Sequence, residues 1–255
     1  MCGTAGMNVG AGQVASAVRK AGCEVPSTAK PASYRTSSSK KADADSFPCV
    51  VATEAGGLDL ATLAFGVKKY RCHNAFVEGW LDRKTWREAA ATAGGRCSMV
   101  VTSFVEGITV RQPDDGVFFI LGLRVGDEFV ILTTPARETD LLGERARAKE
   151  GFGAGRCPIV ADGARAGAWA TAEGPDAAIR LVAELEATTR TNELGLVLGA
   201  GSRKRTSLVP GQRSLASMWG ASPKKKVKRE EEAGPKAPET APKPEPPDPK
   251  REHDK

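Results

Sequence analysis

The 255-residue chain is poor in aromatics (5%), has only two histidines, and holds six cysteines with no Cys-x-x-Cys pair among them. The cysteines stand at 2, 23, 49, 72, 97 and 157, a scatter that does not make a zinc ligand set. The N-terminus lacks a basic stretch followed by an apolar run, so secretion and a disulfide framework are not expected. Neither metal nor cofactor is expected. No apolar run approaches the roughly 20 residues that span a bilayer, so no membrane partner is expected either. The body also lacks net charge. Of 37 Lys+Arg and 31 Asp+Glu, fourteen and eight lie from residue 200 onward, so the whole excess of +6 sits in the last 56 residues. The first 199 residues are neutral overall, and any hold they have on nucleic acid must come from a local patch.

At 40% hydrophobic and 27% charged, the chain can bury a core. Pro48 to Thr53, Cys97 to Thr102, Val117 to Leu123 and Glu128 to Thr133 are short, β-rich and bounded by turn residues, which predicts strands. Arg124 to Asp127 reads as a tight turn joining the last two as a hairpin. Helices are predicted over Gly10 to Ala21, Arg83 to Ala93, Thr139 to Lys149 and Gly174 to Thr189, and Ser33 to Ser46 reads as a polar loop. Strands mixed irregularly with helices predict an α+β domain over 2–190, built on a single mixed, largely antiparallel sheet. The remaining 191–255 read as a disordered tail. Its last 26 residues hold seven prolines, many charges and nothing to bury.

Met1-Cys2-Gly3 opens the chain. Removal of Met1 leaves Cys2 with an α-amine and a thiol on adjacent carbons. Such an amine, with an ordinary pKa near 7.7–8.0, is partly neutral at physiological pH and attacks aldehydes. The thiol can then close the imine into a five-membered thiazolidine, which no internal cysteine can do.

Further along stand Asn74-Ala75-Phe76-Val77-Glu78, then Arg96-Cys97-Ser98, Ser103-Phe104-Val105-Glu106-Gly107, and Ala154-Gly155-Arg156-Cys157-Pro158. Trp86 precedes the Arg-Cys pair by ten residues, and Trp169 follows the last segment. In order and spacing over residues 2 to 170, these segments resemble the SOS response-associated peptidase (SRAP) family of abasic-site processing proteins. The family shows Met-Cys-Gly-Arg, Asn-Ala-Arg-x-Glu, Arg-Cys-Leu leading into Gly-Phe-Tyr-Glu-Trp, and His-x-Arg-Met-Pro. The resemblance implies a sensor of abasic sites in single-stranded DNA. It would link Cys2 to the ring-opened sugar aldehyde, shield the lesion at replication forks, and remove its own Met1 in a peptidase- and lyase-like manner. Cys2 is then the nucleophile, Asn74 positions the N-terminal residue or sugar, and Glu106 moves protons between amine, hydroxyl and thiol. Read without the resemblance, Asn74 is a turn or strand-end residue and Glu106 a solvated strand charge.

The departures are specific. Ala154 stands where the family has its active-site histidine, and Thr4 and Phe76 stand where it has arginines. His73 neighbours Asn74, but adjacent strand residues face opposite ways, so His73 is expected to be structural. Arg156 is retained as a phosphate contact. Lys68, Lys69 and Arg71 can meet the DNA backbone and Tyr70 can stack on a base, or the run is simply a solvated loop. With these losses, the alternative is a catalytically reduced SRAP-like scaffold that serves as a clamp-binding adaptor in replication and repair.

The tail adds two segments. Gln212, Leu215, Met218 and Trp219 follow the spacing of the peptide box that binds the PCNA sliding clamp, with Met218 at the first aromatic position. Lys224, Lys225, Lys226, Lys228 and Arg229 surround Val227 in a run that reads as a nuclear localisation signal for an import receptor, or as a nonspecific DNA-binding stretch. A nuclear monomer is expected.

Overall fold

The computed structural model describes residues 4–34, 45–105, 109–136 and 156–199. Cys2, Glu106, Ala154, the predicted helix 139–149, most of the loop 33–46, the box 212–219 and the basic run 223–229 lie outside them. The strands in chain order are β1 (Thr4–Gly6), β2 (Ser46–Ala52), β3 (Leu58–Phe65), β4 (Asn74–Phe76), β5 (Arg96–Val101), β6 (Ser103–Val105), β7 (Thr109–Arg111), β8 (Phe118–Val125), β9 (Glu128–Pro135), β10 (Arg156–Pro158), β11 (Val160–Ala161) and β12 (Val197–Gly199). The helices are α1 (Val14–Lys20), α2 (Lys84–Ala91), α3 (Gly163–Thr171) and α4 (Gly174–Thr191). The class is α+β.

The expected hairpin is β8–β9, closed by a two-residue turn in which Gly126 takes φ 63° and so follows the strand twist. The strands divide between two sheets rather than one. In the larger, β9, β3, β2, β5 and β8 pair in that order and β8 returns to β9, which closes a five-stranded barrel. Only the pairings of β3 and β4 with β9 are parallel. The smaller sheet, β1-β6-β7-β12, is antiparallel throughout.

Both faces of the barrel strands are buried, which is why their apolar runs are nearly continuous rather than alternating. Cys49, Leu63, Met99, Phe118, Ile120 and Phe129 pack on the inner face. Phe104, Val110 and Leu196 of the smaller sheet and its flank join that core. The alternate residues Val50, Val100, Leu121 and Leu132 face outward against helix residues that include Trp86, Trp169 and Leu185.

Two of the motif residues prove structural. Arg96 is fully buried at the start of β5 and donates to the carbonyls of Trp169 (2.9 Å), Ala90 and Ala172. Those carbonyls end α2 and α3, where unpaired acceptors and the negative helix pole favour a cation. Burial lowers the Arg96 pKa without removing its role as a donor. Trp169 donates its indole N–H to the carbonyls of Cys97 (3.0 Å) and Gly122 (3.1 Å), tying α3 to two barrel strands.

The chain keeps regular structure past the expected boundary at residue 190. Asn192 takes the left-handed conformation at the end of α4, and its amide both donates to and accepts from the Leu196 backbone. That turn delivers β12 to β7. Among the described residues, no helix is long and apolar enough to cross a membrane.

Candidate functional site

β3 leaves the edge of β9 after Phe65 pairs with Phe129, and β4 takes over the same edge with Asn74 opposite Ile131 and Phe76 opposite Thr133. The chain between them turns through Gly66 (φ 92°) and Arg71 (φ 49°). Ala75 is buried in the outward, helix-side core, while Asn74 is only half-buried. Phe76 is 52% exposed, unusual for so large an apolar ring.

Arg156 lies across this strand. Its Nε donates to Thr133 Oγ1 (3.0 Å), Nη2 to the Thr133 carbonyl (2.7 Å), and both Nη atoms to the Glu78 carboxylate, Nη1 at 2.8 Å. Its guanidinium carbon sits 4.0 Å from the centroid of the Phe76 ring. The Arg156 hydrogen bonds hold the Glu78 carboxyl below its usual range against the opposing effect of partial burial. Nearby, Arg190 donates to Thr134 Oγ1 (2.8 Å), the Pro135 carbonyl and Glu186, and its charge adds to the pull on Glu78. Two arginines therefore flank the last residues of β9.

A cleft of about 410 Å³ opens beside β4, lined among others by Asn74, Phe76, Glu78, Trp80, Arg83 and Trp86. Trp80 and Trp86 are almost wholly buried and give it an apolar floor, while Arg83 is exposed. Cys72 also lines the cleft, and burial pushes its thiol up despite the opposing charge of Arg83, and so disfavours the thiolate. Among the described residues, no three His, Cys, Asp or Glu side chains gather where they could hold one metal ion.

The structure brings Asn74 and Arg156 to this cleft and its edge. Lys68, Lys69 and Arg71 are exposed on the turn that precedes β4, with the Lys69 ammonium 5.5 Å from the Tyr70 ring. Tyr70 itself is engaged within the fold. Its ring meets Trp86 edge-on at 5.7 Å and its hydroxyl lies 3.0 Å from Thr85 Oγ1. His73 is engaged in packing. It packs on Phe65 at 5.2 Å and fills the space beside Gly66, where a Cβ would lie 2.6 Å from His73 Cδ2. Far along the sequence, Thr4 pairs with Val105 across β1 and β6, so the strand starting two residues after Cys2 runs beside the strand ending just before Glu106. The sequence reading gave Glu78 no role beyond its motif and treated Phe76 only as a lost arginine. The stack and ion pair with Arg156 depend on a contact across 78 residues, for which no local signal exists.

No family model matches the chain, and no curated protein matches it. Among solved structures it is similar to a protein from Bordetella bronchiseptica, at 17% identity and a TM-score of 0.50, over 78% of this chain and 99% of that one. It is also similar to a phage-related protein from the same organism, at 14% identity and a TM-score of 0.52, over 79% of this chain and 95% of that one. At these identities the likeness shows a shared fold.

Proposed function

We propose that the chain is an abasic-site sensor for single-stranded DNA that forms a covalent thiazolidine crosslink through Cys2 once Met1 is removed. The pairing of β1 with β6 carries this reading. It sets Thr4 opposite Val105, and these residues follow Cys2 by two and precede Glu106 by one. The strands that border Cys2 and Glu106 in sequence therefore pair, which supports a nucleophile and an acid/base far apart in the chain working together, as covalent catalysis needs. The Cys2 amine adds to the aldehyde carbon of the ring-opened sugar, and the carbinolamine loses water to an imine. The thiol sulfur then bonds to that carbon while its proton passes to nitrogen. One aldehyde and one aminothiol give one thiazolidine and one water, with no oxidant or metal required. Asn74 orients the reacting sugar, Arg156 with Lys68, Lys69 and Arg71 meets the strand's phosphates, and the same N-terminal site releases Met1. The basic run at 224–229 addresses the protein to the nucleus, and the box at 212–219 brings it to the sliding clamp at replication forks.

Intact mass of the purified protein, with and without an abasic oligonucleotide, tests the chemistry. The protein should lack Met1 and gain one oligonucleotide less one water. Cys2→Ala should abolish the heat-stable adduct, and Cys2→Ser should leave only an imine that borohydride traps. A full-strength stable adduct in Cys2→Ala would sink the reading.

A second reading is favoured by the locked state of Arg156. Its charge is offset by Glu78, Phe76 occupies a family arginine position, and Ala154 occupies that of the family histidine. In this reading the body is a scaffold and clamp binding is the function. Clamp binding that depends on Leu215 and Trp219, in a protein that never crosslinks, is its signature.

A further inference from the structure

We infer that the cleft beside Asn74 receives one unstacked base of single-stranded DNA, stacked on the open face of Phe76. The inference rests on the reading of the chain as a single-stranded DNA binder and assigns to Phe76 a role that replaces the missing arginine. An aromatic ring more than half exposed on a strand that otherwise packs into the fold has no core to justify it. One face of the ring is covered by the Arg156 guanidinium at 4.0 Å. That guanidinium is itself fixed by Thr133 and Glu78, so the ring is held in one orientation before any ligand arrives. Such preorganisation lowers the ordering cost of stacking.

The cleft suits a base in three respects. Its volume of about 410 Å³ accommodates a base with its sugar. Its floor includes the apolar rings of Trp80 and Trp86, against which a base can lie. Arg83, exposed at the same cleft, supplies positive charge for an adjoining phosphate. A base enters this way only when it is unpaired, which selects a single strand over a duplex.

The test compares two fluorescent 15-mers of equal charge, one of thymidines and one made entirely of tetrahydrofuran residues, a backbone without bases. Neither carries an aldehyde, so crosslinking by Cys2 plays no part. A protein that forms no adduct with abasic DNA can still pass, and one that forms the adduct can still fail. The full-length protein should bind the thymidine strand about tenfold or more tightly than the furan strand, the scale of a single stacking residue. Phe76→Ala should bring the two affinities close to parity by weakening only the thymidine strand, and Phe76→Tyr should keep the preference. A preference undiminished in Phe76→Ala, or no preference in the parent protein, overturns the inference.

Discussion

The Glu78 carboxylate accepts hydrogen bonds from both Nη atoms of Arg156, a residue 78 positions further along the chain. The pair sets the position of Arg156 and cancels its charge, so an approaching phosphate must compete with Glu78 for it. Glu78→Gln keeps an acceptor for one Nη atom but removes the competing charge. Affinity for undamaged single-stranded DNA should rise, and the slope of log K against log salt should steepen by about 0.7, the value of one added phosphate contact on a single strand. Anisotropy titrations over a range of salt concentrations measure both, and an unchanged slope would mean that Arg156 does not meet the strand.

The same pair makes stability depend on pH in a definite direction. Arg156 depresses the folded-state pKa of Glu78, so the unfolded chain takes up the proton first as pH falls. The contribution is fully present above the unfolded carboxylate pKa of about 4.3 and is lost as pH falls through the lower folded value. Because Glu78 is half exposed, the gap between parent and Glu78→Gln should be at most about 1 kcal/mol near pH 7. Urea melts at pH 7 and at pH 3 should show the gap narrowing in acid. A gap that widened there would contradict the pairing.

His73 is expected to matter for packing and not for chemistry. His73→Ala removes a ring from Phe65 and from the backbone at Gly66 and should cost about 1–2 kcal/mol while leaving the adduct rate per folded molecule unchanged. Gly66→Ala places a Cβ 2.6 Å from His73 at φ 92°, so it should destabilise both by collision and by backbone strain. In the double variant the collision disappears and the strain stays, so the double variant should cost less than the sum of the two single variants. Thermal melts of the four proteins decide this.

β2, β5, β8 and β9 were legible because each is an apolar run bounded by turn residues, and the β8–β9 hairpin because its turn carries a glycine. β3 escaped notice because Asp59, Thr62 and two alanines dilute its pattern, although Leu60, Leu63 and Phe65 are buried. α3 (GARAGAWAT) hides for a related reason. Its small residues are there so that it can approach its neighbours: a Cβ at Gly163 would lie 2.3 Å from the Ala21 carbonyl at the end of α1, and one at Gly167 3.0 Å from Leu58 Cδ1 of β3. The three-residue strands of the smaller sheet are too short to show a period at all. At the site, motif spacing pointed to Asn74 and Arg156, and the structure sets them at the cleft and its edge. The Arg156–Phe76–Glu78 cluster is not readable in the sequence, because it joins segments that only the β9 edge brings together.

β12 predicts where the chain can be cut. Leu196 is buried against the barrel interior, Asn192 holds it through two backbone bonds, and β12 covers β7. Ending the chain after Gly199 should preserve thermal stability, retain the adduct, and flatten the salt dependence of DNA binding, since the body is neutral. Ending it after Arg190 should cost about 2 kcal/mol or more through the loss of Leu196 alone. Equal melting temperatures for the two truncations would show that β12 adds nothing to the fold.

The last prediction concerns the proton inventory at Cys2. Thiazolidine formation needs a proton delivered to the carbinolamine hydroxyl as water leaves to give the N-protonated imine. A proton is then taken from the thiol as sulfur closes on that carbon, which is the net passage of the thiol proton to nitrogen. A single carboxyl can do both in turn, giving its proton in the first step and recovering one in the second, so the site needs no second acid if Glu106 serves twice. The SRAP family that the sequence resembles divides such work with a histidine, where this chain has Ala154. Glu106→Gln should therefore slow the stable adduct by about 10²-fold or more, the scale of general acid–base catalysis. Ring closure should suffer most, so borohydride should still trap an imine. Ala154→His, which restores a partner, should raise the rate or change reversal of the adduct in the parent background. His73 faces Phe65 and Gly66, so His73→Ala should leave the pH–rate profile unaltered. If Glu106→Gln were silent and His73→Ala abolished the adduct, the proton would be moving through His73, and Glu106 would have no part in the reaction.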